Sequence, residues 1–148
     1  MIRKAIGAIV YQGNKFLIVQ KTNINTLQGI QNIKAEWDFI KGGVEKNDKN
    51  LHCTLFRELK EETGSIEYKV VKVFKEMICF DFPDDLKEKI GYDKQETTMF
   101  LVEFLGDINA LMPNYNEISK IKFIEKDKVV EILTNQDTKD YFTKYSTV

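Results

Sequence analysis

Three features of the sequence predict an α/β fold, a mixed β-sheet sandwiched between helices. Apolar β-type runs stand before and after one amphipathic helical stretch that ends at Gly64, residues 97–105 are nearly unbroken apolar, and residues 127–145 turn helical. The chain has 148 residues, 43% of them hydrophobic. That is enough for one globular domain, expected over residues 1–148, to bury a real core.

Taken in order, residues 5–11 and 15–20 are apolar runs around Gln12-Gly13-Asn14 and read as a β-hairpin. Residues 22–36 are polar, with three asparagines and Gly29, and show no stable period, so a long loop is expected there. Residues 36–40 form a short strand that leads into Lys41-Gly42-Gly43. Past the helix, residues 68–82 read as one long strand or two broken ones, and Pro83-Asp84-Asp85 turns the chain away. Residues 86–95 are a charged surface excursion. Residues 97–105 should be a central strand covered on both faces. Residues 127–133 and 138–145 close the chain as helices.

Lys and Arg number 22 against 23 Asp and Glu, a net charge of -1. No overall basic field therefore recruits nucleic acid or a membrane surface. No apolar run approaches the roughly 20 residues of a membrane helix, and the N-terminus enters a strand pattern without a leader, so a cytoplasmic protein is expected. Cys53 and Cys79 lie far apart without a Cys-x-x-Cys or a histidine cluster. They are expected to be reduced, core or semi-buried thiols.

The chemistry is concentrated in residues 41–66. Asn50 or Asp48 can cap a helix, Leu51, Leu55 and Leu59 recur at helical spacing with His52 and Phe56 in the same sector, and Gly64 stands where the helix should stop. Glu58 and Glu62 project at the border of that apolar stripe. Acidic residues on a helix are usually a solvated face, yet that face would not choose this edge, and Glu58, Glu61 and Glu62 stand at spacings where like charges repel. A cation should offset the repulsion. Oxygen-only ligands suit Mg²⁺ or Mn²⁺ and not Zn²⁺.

Gly43 followed by Arg57-Glu58-Leu59-Lys60-Glu61-Glu62-Thr63-Gly64 resembles the Nudix box, Gly-x5-Glu-x7-Arg-Glu-(apolar)-x-Glu-Glu-x-Gly-(apolar). Two positions depart from it. The isolated Glu falls on Lys49 or Asp48 according to the direction of counting, with Asp48 favoured because it can cap and pair with Arg57, and Ser65 replaces the last apolar residue. The resemblance implies a Nudix-type α/β/α sandwich, metal ligation by Glu58, Glu61, Glu62 and the carbonyl of Gly42, and an orienting role for Arg57. Asn116-Glu117-Ile118 followed by Lys122-Phe123-Ile124 resembles the segment after the box that returns as a strand in this family. Lys41 stands where some members place a phosphate-binding lysine. Gly91 with Gln95-Glu96 resembles a stretch of the branch that holds RNA 5′-pyrophosphohydrolases and dinucleoside polyphosphate hydrolases. By that likeness Glu96 is a further metal or catalytic carboxylate and Tyr92 a base-stacking residue; otherwise the segment is a polar turn.

The expected activity is Mg²⁺-dependent hydrolysis of a phosphoanhydride in a nucleoside diphosphate linked to another group. Dinucleoside polyphosphates, nucleoside triphosphates and 5′-triphosphate RNA ends are the expected substrates, in that order. The rival reading is a non-catalytic, nucleotide-sensing Nudix-type domain, which would not need the full Glu-x-x-Glu-Glu set.

Overall fold

The computed structural model describes residues 1–114 and 117–145, Asn25 by its backbone alone. Among these described residues eight strands form one mixed sheet: β1 (Ile2–Gln12), β2 (Lys15–Thr26), β3 (Gly29–Asp38), β4 (Ile40–Gly43), β5 (Tyr68–Val73), β6 (Ile78–Asp81), β7 (Lys94–Phe104) and β8 (Ile118–Glu125). β1 and β7 run parallel at its centre, from Ile2 opposite Lys94 to Tyr11 opposite Glu103, and the other pairings are antiparallel. The strand expected to be central is central.

Alternation along these strands makes two cores. Ile6, Ala8 and Val10 of β1 join Phe100, Val102 and Phe104 of β7 on the face that receives Leu55 and Leu59 of α1 (Leu51–Thr63). Ile9 and Met99 point the other way, onto Val129 and Leu133, at α3 (Lys126–Ile132), and Phe142 of α4 (Gln136–Tyr145). Helices therefore cover both faces, the α/β/α sandwich expected from the sequence.

Leu55 and Leu59 are fully buried, each worth about 1.5–3 kcal/mol of transfer free energy. They fix which side of α1 meets the sheet. The helix starts where Asn50 accepts a hydrogen bond from the Cys53 amide at 2.9 Å, and it stops at Gly64, whose φ of 75° is left-handed. Its last carbonyls are taken up by the amides of Met112 on Thr63 and Asn114 on Glu62.

Several expectations are corrected. Residues 22–36 are not a loop but the distal half of the β2–β3 hairpin, closed at Leu27-Gln28 between paired Thr26 and Gly29. Both of its faces are largely open to water, so no apolar alternation marked the strands; the backbone ladder and the left-handed Gly29 hold them. Its tip meets α2 (Asp84–Ile90), a short helix within the charged excursion, through the Leu27 amide on the Lys89 carbonyl. Leu51 and His52 begin α1 exposed, outside the buried stripe, although the His52 ring stands edge-on to Phe100. Both cysteines are free and exposed, not core thiols. Residues 68–82 resolve into the two strands β5 and β6. Of the segment 116–118, Asn116 lies outside the described residues, while Ile118 opens β8 as expected.

Candidate active site

The site forms where β4 passes beneath α1. Gly42 sits opposite Ile6 of β1, on the face that α1 covers, and a Cβ built on it would overlap the Glu58 carboxylate. Glycine is required here so that backbone and carboxylate can touch. Glu58 is 8% exposed and Glu62 3%. Both Glu62 carboxylate oxygens are buried, and among the described residues neither has a hydrogen-bond partner. A buried carboxylate left in this way is costly unless its charge is neutralised.

One guanidinium organises the surroundings. Arg57 donates from Nε to Asp48 Oδ1 at 3.0 Å, from Nη2 to Asp48 Oδ2 and to the Gly43 carbonyl at 2.9 Å each, and from Nη1 to Glu58 Oε1 at 2.9 Å. Its Nη1 also reaches the more exposed Glu61, 3.3 Å from Oε2. The loop between β4 and α1 is thereby strapped to the helix. Of the two positions weighed for the isolated acid, Asp48 and not Lys49 pairs with the arginine, which Glu45 Oε2 also approaches at 3.4 Å, while the helix cap is Asn50.

The carboxyls respond to these surroundings in opposite senses. Hydrogen bonds from Arg57, then from the Glu45 amide, hold Asp48 well below the usual carboxylate range. Burial pushes Glu58 up to about 7 against the pull of Arg57, with Glu61 and Glu117 adding repulsion. Burial raises Glu62 well above its ordinary value, Lys21 opposing and Glu58, Glu117 and Asp38 reinforcing.

The other expected residues fall elsewhere. Lys41 alternates to the opposite face of the sheet, where its Nζ lies 2.9 Å from Thr138 Oγ1 and 3.2 Å from Asp38 Oδ1. Glu96 stands opposite Lys4 and is ion-paired to it, with β1 between it and Gly42. β7 is not beside β4 but one strand further, about 10 Å away at ordinary spacing. Tyr92, half-buried, follows Gly91 beneath the Leu27 side chain of the hairpin tip. Sequence reasoning gave no role to Glu117, whose charge acts on both Glu58 and Glu62. Its only signal was its place just before the returning strand.

The donors fit a divalent cation: all are oxygen, two are unpartnered, and Gly42 leaves room for close approach. Among the described residues no three His, Cys, Asp or Glu side chains are gathered into a finished cage. Arg57 engages Glu58 and Glu61 itself.

A family model described as the NUDIX domain matches residues 1–145. The chain belongs to the Nudix family. It is similar to the RNA pyrophosphohydrolase of Campylobacter jejuni strain 81-176, 30% identical over 113 residues that cover 73% of this chain and 69% of that protein. The RNA pyrophosphohydrolase of Nitratiruptor sp. is 29% identical over 131 residues, 82% of this chain and 78% of that one. Among solved structures, the MutT protein from Methanosarcina mazei Go1 superposes with a TM-score of 0.72 at 18% identity, covering 99% of this chain and 94% of that chain. A C. elegans Ap4A hydrolase complex gives 0.69 at 18% identity, covering 98% and 96%. These two likenesses show the shared fold. The Nudix chain is a pyrophosphohydrolase acting on phosphoanhydride bonds, and Nudix hydrolases generally use divalent metal ions. Among the described residues no helix is long and apolar enough to cross a membrane.

Proposed function

We propose that this Nudix enzyme is Mg²⁺-dependent and removes pyrophosphate from the 5′-triphosphate end of RNA. The observation that carries the metal reading is the Glu62 carboxylate, buried beside Glu58 with neither oxygen hydrogen-bonded among the described residues. When bound, Mg²⁺ would supply charge neutralisation on the phosphates and activation of a water. Glu58, Glu61 and Glu62 with the Gly42 carbonyl would hold it. Arg57 orients Glu58 through the 2.9 Å hydrogen bond, and its hold on Asp48 keeps the loop closed over the helix start. Glu58 and Glu117 are the groups suited to accept the proton of the attacking water. Water adds to one phosphorus, the bridging P–O bond breaks, and RNA 5′-monophosphate and pyrophosphate leave.

The RNA end is favoured over dinucleoside polyphosphates for two reasons. The relatives described above are named RNA pyrophosphohydrolase. The β2–β3 hairpin also carries no acidic residue from Lys21 to Ala35 in a chain that has 23, but two lysines and a row of Asn and Gln side chains. Such an arm can lie along a phosphate backbone despite the near-zero net charge.

The test incubates the protein and MgCl₂ with 5′-triphosphorylated oligoribonucleotide, Ap4A and ATP at equal concentration, reading pyrophosphate and end groups. The oligoribonucleotide should have the highest kcat/KM, with pyrophosphate as product. Faster turnover of Ap4A would return the preference to dinucleoside polyphosphates. Binding without turnover of any of the three would favour the sensing domain.

A further inference from the structure

Lys41 is the one expected phosphate-binding residue that the fold turns away from the site. On β4, Ile40 packs with the α1 leucines and Gly42 lies under Glu58, so alternation sends Lys41 through the sheet to the other face. There its stem runs beside Gly7 and Met99, and a Cβ on Gly7 would come within 3.3 Å of the Lys41 Cγ. Lys41 and Asp38 side chains are 10% and 7% exposed. A phosphate on the α1 side cannot meet that ammonium without crossing the sheet.

The ammonium ties together three segments that meet where the chain leaves β3 for β4. It donates to Thr138 Oγ1 in the first turn of α4 and pairs with Asp38 Oδ1, which also accepts the Phe39 amide at 2.7 Å. A neighbouring link repeats the attachment, since Trp37 and Thr134 exchange hydrogen bonds at 2.8 and 3.0 Å. Asp38 in turn stands close enough to Glu62 for its charge to act there. The lysine therefore balances an acid whose charge bears on Glu62.

We propose that Lys41 is a positioning residue, which locks Asp38 and Thr138 to β4 from the far face of the sheet and so holds Gly42 against Glu58. The inference rests on the reading that Gly42 and Glu58 belong to the metal-dependent site. Groups that support metal ligands from behind typically affect metal affinity or activity by about 10–100-fold. Its chemistry differs from that of a substrate contact, which would act on KM.

Lys41→Met alone leaves the buried Asp38 charge without its cation, which destabilises the fold and confounds the readout. The informative variants are therefore the double Asp38→Asn/Lys41→Met, which removes both charges at similar volume, and Thr138→Val, which cuts only the link to α4. Both are read by kcat and KM on the best phosphoanhydride substrate and by the MgCl₂ concentration that gives half of the metal-induced rise in Tm. The double variant should lose at least about 10-fold in kcat or in metal midpoint while KM stays within about twofold, and Thr138→Val should move the same quantities less. A KM rise at unchanged kcat, or a lower Tm with kcat, KM and metal midpoint all native, overturns the proposal. Failure of the functional reading looks different: the native chain hydrolyses nothing, and the metal midpoint of the folded variants still decides whether the lock exists. A native Tm indifferent to metal as well overturns both.

Discussion

Glu58→Gln should stabilise the metal-free protein while abolishing its activity. Burial pushes the Glu58 carboxyl from 4.5 up to about 7 in the folded chain. The unfolded chain releases that proton near 4.5, so between 4.5 and 7 the folded state binds more protons and stability must fall as the pH rises. The contribution is fully present below about pH 4.5 and is gone above about pH 7. At about 1.4 kcal/mol per unit, the rise from 4.5 to about 7 amounts to about 3 kcal/mol. Glu62, raised by burial, works in the same direction. Asp48, held low by Arg57, works the other way but only below about pH 4, outside the window.

Glutamine keeps the shape and has no charge to desolvate. In EDTA at about pH 8 the variant should melt higher than the native chain by up to about 3 kcal/mol, or about 6–12 °C for a protein of this size. The assay is a set of thermal melts from about pH 5 to 8 in EDTA, repeated in millimolar MgCl₂, where the native protein should gain stability through preferential binding to the folded state and the variant should gain less. Turnover should fall by at least about 10²-fold. A variant that melts at or below the native chain in EDTA at about pH 8 refutes the reasoning, as does native stability that climbs through this window.

Two further substitutions test the geometry. Gly42→Ala places a methyl where the Glu58 carboxylate lies, so it should cost about 1–3 kcal/mol in urea unfolding and remove most activity; native behaviour in both would mean that Glu58 can leave Gly42 freely. Glu117→Gln should cut turnover by at least about 10²-fold, whereas Glu96→Gln, paired with Lys4 across β1 from the site, should stay within about threefold by the same steady-state assay; the reverse order would move the fourth carboxylate to β7.

Local signals carried most of the architecture. α1 was legible because its cap, its leucine spacing and its terminal glycine agree, and β7 because an apolar run of that length must be covered on both faces. The distal hairpin was not legible, since a strand with two wet faces has no alternation to read. Lys41 and Glu96 show a different limit. Sequence placed each on a strand end near the glycines, but the side a residue faces depends on where the β3–β4 break falls, and its neighbours depend on strand order. Insertion of β1 between β4, to which it is antiparallel, and β7, to which it is parallel, is a long-range pairing that no local pattern encodes. Glu117 was hidden for a related reason: it lies in a polar stretch without a period and acquires its meaning only when β8 returns beside β2 and brings it to α1.

Asp48 and Glu58 face the same guanidinium and end with opposite tendencies, and the difference explains how the site divides its labour. Asp48 receives two hydrogen bonds from Arg57, one from the Glu45 amide and one from the Thr54 hydroxyl, all directed at its ionised form. Glu58 receives one from Arg57 and is otherwise shut between α1 and Gly42, so desolvation outweighs the attraction. The first carboxylate is therefore a fixed anchor for the loop. The second is left adjustable, its ionisation costly in the metal-free fold and favoured by an arriving positive charge, as its proposed place among the metal ligands requires.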